Sequence, residues 1–269
     1  MQPVQVSTVN VDMKENSDST LKSCPNIIQQ LSVMLLLLSL LSSVQASELQ
    51  PYPEFTAVFD AKISGISMGE VSFSLRKLDN GEYLYQRKAT SVGIASLLGQ
   101  RESTAKSRWR YGADGIKVME FKSSDEDGDA DDNLHLIFDW QTAEVKNVSP
   151  ADPWQTEMPT GTLDKLAMQL AILFELRDGK TEFQYPVAHE GRIKQYWFKQ
   201  VGREKLELEL GDFDTLIVER LKEDRDVSRI WIAPDLNYFP VRFLKLKQDG
   251  AKRELLLREV KFSGQGTTG

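Results

Sequence analysis

The chain has 269 residues, 41% hydrophobic and 27% charged, which supplies ample apolar material for a packed core and excludes a disordered polyelectrolyte. Its formal net charge is −7, with basic residues scattered rather than massed, which excludes the electrostatic footprint of a nucleic-acid-binding protein. One cysteine, Cys24, excludes an internal disulfide, and a mature chain without it can form no cysteine-ligated metal site.

In chain order, residues 1–46 differ in kind from the rest. A polar stretch to Gln30 gives way to the apolar run Leu31 to Leu41, which spans 11 residues, whereas a bilayer-spanning helix needs ~20. Ser42-Ser-Val-Gln-Ala46 follows, with short residues where a signal peptidase reads them, so cleavage is expected between Ala46 and Ser47. An uncleaved anchor is the alternative. The region ahead of the run is extended: its Lys14 and Lys22 are offset by Asp12, Glu15 and Asp18, and translation can start at Met1 or at Met13. Cleavage removes Cys24, which precedes the apolar run, whereas a lipid-attachment cysteine would lie just after it. The expectation is therefore a periplasmic chain, soluble and without a transmembrane span once processed. Two basic and three acidic residues precede Ser47, so 33 and 40 become 31 and 37 and the mature net charge is −6.

From Phe55 onward apolar residues alternate with polar ones. Phe55, Ala57, Phe59, Ala61 and Ile63 form one run and Val71, Phe73 and Leu75 the next, joined by Gly65-Ile-Ser-Met-Gly69. This period of two marks strands with one buried face. Asp79-Asn80-Gly81, Asp114-Gly115, His189-Glu-Gly191, Gly202-Arg203, Gly211-Asp212 and Asp249-Gly250 punctuate the rest as turns. About twelve strands at this spacing are too many for a flat sheet. The fold class is mainly β: a long antiparallel meander curled into an open or partly closed barrel or roll. With no linker in sight, residues 47–262 read as a single β-rich domain and 263–269 as a disordered tail.

One segment breaks the pattern. Residues 162–176, Thr162 through Leu176, have helical spacing, with Thr162 at the expected cap and Asp178-Gly179 as the stop. Asp164, Lys165, Gln169 and Glu175 share one stripe, and the rest of the circumference is apolar. Such a helix has to be buried on most sides, and its natural place is the concave face of the curled sheet.

Chemistry-bearing patterns are sparse. Gly65-Ile-Ser67-Met-Gly69 matches the G-x-S-x-G string of serine hydrolases, but a strand pattern follows it and the chain has two histidines, so it reads as a hairpin turn. His135 alternates with Leu134 and Leu136 and is expected to face solvent or a neighbouring strand, while His189 sits at a turn. Asp125, Asp127, Asp129 and Asp131 form a weak calcium candidate. An EF-hand frame starting at Asp127 would put Asp132 at its glycine position and Phe138 at its closing glutamate, so a solvated acidic loop is the plainer reading. Trp109, Trp140, Trp154, Trp197 and Trp231 are expected to fill the core, with Trp154, in a proline-flanked loop, placed to touch a ligand or partner. Asp214 and Asp235 read as turn and capping residues.

The C-terminal third carries Gly211-Asp-Phe-Asp-Thr215, Trp231-Ile-Ala-Pro-Asp235 and Phe239-Pro-Val-Arg242. With the early Gly65 and Gly69 hairpin and Leu163-Asp-Lys-Leu166, these motifs resemble a family of bacterial exported proteins of unknown function. The resemblance implies a curled antiparallel sheet and supplies no catalytic residues. It also suggests a remote analogy with the half-open barrels of periplasmic lipoprotein carriers. The expected function is accordingly a non-enzymatic binding or carrier module without a cofactor, taking an apolar or lipid-like ligand, a lipid or a lipoprotein acyl chain. Leu166, Leu170, Leu173 and Phe174 of the helix, with Trp154, are the candidate ligand contacts. The alternative is a structural or interaction factor of envelope assembly that docks an envelope protein through sheet edges or the loop from Pro150 to Pro159.

Overall fold

The computed structural model describes residues 52–92, 102–112, 115–125, 133–150, 152–189, 191–221 and 226–263. The leader and its Ala46–Ser47 junction, the centre of the acidic loop and the tail from residue 264 lie outside them.

The described residues form one compact unit. Its first meander comprises β1 (Phe55–Ile63), β2 (Ile66–Lys77), β3 (Tyr83–Ser91), β4 (Glu102–Gly112), β5 (Gly115–Asp125), β6 (His135–Asp139), β7 (Glu144–Asn147) and β8 (Trp154–Glu157). Helix α1 (Ala167–Arg177) follows, and then a second meander of β9 (Glu182–His189), β10 (Arg192–Leu208), β11 (Gly211–Leu221), β12 (Val227–Ala233), β13 (Phe239–Leu246) and β14 (Lys252–Phe262). Pairing of β1 with β14, Phe55 opposite Phe262 and Ile63 opposite Arg253, zips the two meanders into one antiparallel sheet of 14 strands. The sheet is not closed: β8 is one edge and β9 the other.

Alternation sets the inner face. Phe55, Ala57 and Phe59 on β1, Val71, Phe73 and Leu75 on β2, and Leu216 and Val218 on β11 all point into one continuous core. Phe59 packs edge-on to Phe73 at 5.5 Å and Phe55 edge-on to Phe239 at 4.9 Å, so the β1–β14 seam is lined with rings. Curling brings the edges together, for the Trp154 indole of β8 lies 3.8 Å from where a β-carbon on Gly191, just ahead of β10, would stand.

Helix α1 is the crossover between the two edges, and it runs on the concave side packed against β5 and β9. Eight of its 11 residues are buried. It begins later than the sequence periodicity predicts, because Leu163 is drawn into a parallel bridge with Val187: its N–H donates to the Pro186 carbonyl and its own carbonyl accepts from Ala188, both at 2.9 Å. This bridge also covers the edge of β9. Thr162 therefore does not cap the helix, and its hydroxyl donates to the Pro159 carbonyl at 2.7 Å instead. Asp164 takes over, accepting from the N–H groups of Leu166 at 2.7 Å and Ala167 at 2.8 Å.

Three further expectations change. Gly202 is not a turn: it lies inside the 17-residue β10, where the register against β11 shifts between Gln200 and Gly202, a bulge that bends the strand. The first hairpin turns at Ser64-Gly65, and Gly69 belongs to β2, where a β-carbon would stand 2.1 Å from the Thr90 carbonyl oxygen of β3. Trp154 opens the edge strand β8 rather than sitting in a loop, because Asn147 folds the chain back by donating to the Asp152 carbonyl at 2.5 Å.

Candidate functional site

Register places one row of residues across the open end of the concave face. Ser228 on β12 faces Lys245 on β13, which faces Arg253 on β14, which faces Ile63 on β1. Arg220, two residues beyond the inward Val218, extends the row on β11. One step deeper the row is apolar: Val218, Ile230, Phe243, Leu255 and Ala61. A polar rim thus stands directly over an apolar wall.

Between this wall and α1 lies a cavity of about 560 Å³, within the ~300–1,000 Å³ of ordinary ligand pockets. Helix residues Met168, Gln169 and Ile172 form its other side, spaced so that they share one stripe of the helix. The Arg220 guanidinium stacks over Tyr196 at 3.8 Å, and its Nε is buried without a hydrogen-bond partner. Arg87 enters from β3, anchored by a 2.8 Å bond to the Ser103 hydroxyl. A smaller cavity of about 240 Å³ adjoins, and Arg87 and Gln169 line both. The Gln169 carbonyl oxygen is likewise buried with no partner.

Among the described residues Glu254 is the one acidic residue lining the larger cavity, and the register turns it to the opposite face, opposite Leu244 and Lys62. There Arg242 donates to it at 2.5 Å and Lys252 pairs with it at 2.7 Å. Burial by itself raises this carboxyl, but the Lys252 and Arg242 hydrogen bonds and the Arg242 charge hold it below the usual carboxylate range.

The sequence-derived contacts fall differently. Leu170, Leu173 and Phe174 are buried in the core on another stripe of α1 and do not line the 560 Å³ cavity. Phe174 closes the far end of the cup, its ring 5.5 Å from Tyr52, 5.9 Å from Tyr111 and 6.1 Å from Trp109. Burial pushes the Tyr111 hydroxyl up to about 12, although it accepts from the Tyr52 N–H at 3.0 Å. Leu166 lines the smaller cavity. Trp154 is half-buried against the core, with its indole N–H buried and unpartnered. Sequence reasoning missed Met168, Gln169 and Ile172, because Gln169 marked that stripe as solvent-facing. An all-round apolar helix with one glutamine between Met168 and Ile172 was the available signal.

Trp109 and Trp231 are buried and Trp140 packs at the core margin, but Trp197 points outward and is 45% exposed, since β10 alternates and its inward places go to Tyr196 and Phe198. His135 faces the neighbouring strand, its Nε2 2.7 Å from Glu120 Oε1 on β5. Asp125 ends β5, and Asp127, Asp129 and Asp131 lie outside the described residues. Among the described residues no group of three or more His, Cys, Asp or Glu could hold a metal ion. Asp214 and Asp235 share a second pocket with Arg203 and Lys205. Lys205 pairs with Asp212 at 3.0 Å, and Thr215 donates to the Glu204 carbonyl at 2.6 Å. No helix among the described residues is long and apolar enough to cross a membrane.

Comparison with known proteins agrees on the fold. The model of a family described as "Protein of unknown function (DUF3108)" matches residues 57–255. No curated protein matches the sequence. Among solved structures, a beta-barrel-like protein of domain of unknown function DUF1849 from Brucella abortus is 11% identical, with 80% of this chain and 100% of that chain covered and a TM-score of 0.54. MucB is 10% identical over 80% of this chain and 55% of its own, at a TM-score of 0.32. A domain assigned provisionally to outer-membrane lipoprotein sorting, from Vibrio parahaemolyticus, is 10% identical over 81% of this chain and 88% of its own, at a TM-score of 0.27.

Proposed function

The chain belongs to the DUF3108 family, which brings no assigned activity with it, and we propose from the geometry of the cup that the protein is a non-enzymatic binding module for an apolar, lipid-like ligand of the bacterial cell envelope. The observation that carries this reading is the 560 Å³ cavity between α1 and the inner rows of β1 and β11 to β14. A helix buried at eight of 11 positions could have filled the cup completely. Instead its Phe174 stripe plugs one end, and at the other the partly exposed Ala61, Ile230, Phe243 and Leu255 of the wall face the cavity beside Met168, Gln169 and Ile172. Apolar surface facing an open cavity is costly in water, at roughly 25 cal/mol per Å², and an apolar ligand recovers that cost.

Export is part of the proposal: the apolar run ending at Leu41 and the short residues up to Ala46 make residues 1–46 a cleavable leader, delivering a chain that starts at Ser47 to the periplasm. Native mass spectrometry of the protein purified from the periplasm of its own host tests both parts. The expected result is an N-terminus at Ser47 and a mass excess that is lost on gentle extraction with organic solvent. Repeated recovery of the bare polypeptide mass, together with no enhancement of an apolar fluorophore, would overturn the binding reading.

A further inference from the structure

The cavity is amphipathic, and among the described residues the charged groups of its rim row are cationic. Arg220, Lys245 and Arg253 stand in the rim row and Arg87 enters from β3, while Glu254, the one lining carboxylate among the described residues, faces away and is already bonded to Arg242 and Lys252. The protein as a whole is acidic, with a net charge of −7, so four cations converging on one concave end are not a sample of its average surface. Among the described residues no carboxylate pairs with Arg220 or Arg253, and the Arg220 Nε is buried with no acceptor. Stacking on Tyr196 at 3.8 Å fixes the guanidinium plane but offers its N–H groups nothing. A half-buried guanidinium with an unfilled donor is a costly arrangement that an anion relieves, and the fork geometry matches carboxylate or phosphate oxygens. The apolar row of Ile230, Phe243 and Leu255 lies directly below.

We propose that the ligand is an anionic amphiphile, its acyl chain lying along the apolar row of Ile230, Phe243 and Leu255 and its carboxylate or phosphate head held by Arg220 and Arg253, with Lys245 and Arg87 adding to the field. This deepens the reading of the cup as a lipid-binding module and rests on it. Charge complementarity chooses the head and the depth of the apolar row chooses the tail, so neither a free anion nor a neutral lipid satisfies both ends.

The test is displacement of N-phenylnaphthylamine from the mature chain by probes of one chain length: hexadecanoate, hexadecyl phosphate, hexadecanol and hexadecyltrimethylammonium, each below its aggregation threshold, with inorganic phosphate as a further competitor. The expected result is that the two anions bind about tenfold tighter than hexadecanol and that inorganic phosphate displaces nothing. Arg220→Gln and Arg253→Gln each erase most of that preference, weakening the two anions far more than hexadecanol, and added salt narrows it. The ratio of hexadecanoate to hexadecyl phosphate distinguishes a carboxylate head from a phosphate head. If all four amphiphiles bind alike, if the cationic one is preferred, or if the variants leave the ratio unchanged, the head-group inference fails and the binding module stands. If none binds, both fail. Should Arg220→Gln weaken hexadecanol as much as the anions, the exposed rim residue Arg253 decides, since its replacement leaves the core untouched.

Discussion

Asp164 is fully buried, and three donors converge on its carboxylate: the Ser107 hydroxyl at 2.5 Å and the N–H groups of Leu166 and Ala167. Burial pushes its pKa up to about 6 from 3.8 despite those donors. The folded state therefore keeps a proton that the unfolded chain has lost between about pH 4 and pH 6, so this residue's contribution falls as pH rises through that window and is flat above it. A shift of that size corresponds to roughly 3 kcal/mol. Asp164→Asn keeps an acceptor for the two N–H groups and removes the titration, and urea midpoints from pH 4 to pH 7 are expected to lose their downward slope. Glu120 acts in the opposite sense. Burial raises its carboxyl, but hydrogen bonds from Lys122 and His135 and the charges of Lys122 and Arg108 outweigh that and bring it down to about 2. Stability from that network is present above about pH 4.5 and is lost as pH falls toward 2, so a slope that survives below pH 4 in Asp164→Asn belongs to groups of this kind. His135 was legible from its alternation with two leucines. Asp164 as the cap was not, because the bridge of Leu163 to Val187 that displaces Thr162 joins residues far apart in sequence.

At the scale of elements, α1 divides its work between two stripes. Phe174 sits among Tyr52, Trp109 and Tyr111, so Phe174→Ala is expected to cost about 3–5 kcal/mol, whereas Met168→Ala, beside an existing cavity, falls at about 2 kcal/mol, the low end of such truncations. Chemical denaturation of the two variants checks the ordering, and equal losses would mean that both stripes are core. Gly69 tests the sheet. A methyl there meets the Thr90 carbonyl, so Gly69→Ala is expected to force β2 and β3 apart and lower the denaturation midpoint, while Gly65→Ala in the open turn suffers only from its positive φ. Strand identity and the tight turn at Gly81 followed from local chemistry, since alternation and turn residues act over a few positions. The bulge at Gly202 did not, because a glycine inside a strand and one at its end leave the same mark in the sequence. Trp154 shows the same limit, for a strand as short as β8 has too few residues to display a period.

For the whole molecule, the curled antiparallel sheet with one apolar helix on its concave side was legible, because 14 strands must curl and an all-round apolar helix must be covered. That the helix leaves a cavity was not legible. Filling depends on the distance between α1 and the rows of β12, β13 and β14, which is set by the zipper of β1 with β14 and by the bridge to β9, contacts of long sequence separation. Ala61 lies in the middle of the apolar row and is small, so Ala61→Phe places a ring in the cavity at a residue outside the Phe174 plug. Titration of N-phenylnaphthylamine into the mature chain and into Ala61→Phe is the most direct measurement. Saturable binding at one site per chain is expected in the first and its loss in the second, with the denaturation midpoint held. Binding that is unchanged in Ala61→Phe, or absent from both, would contradict the binding reading.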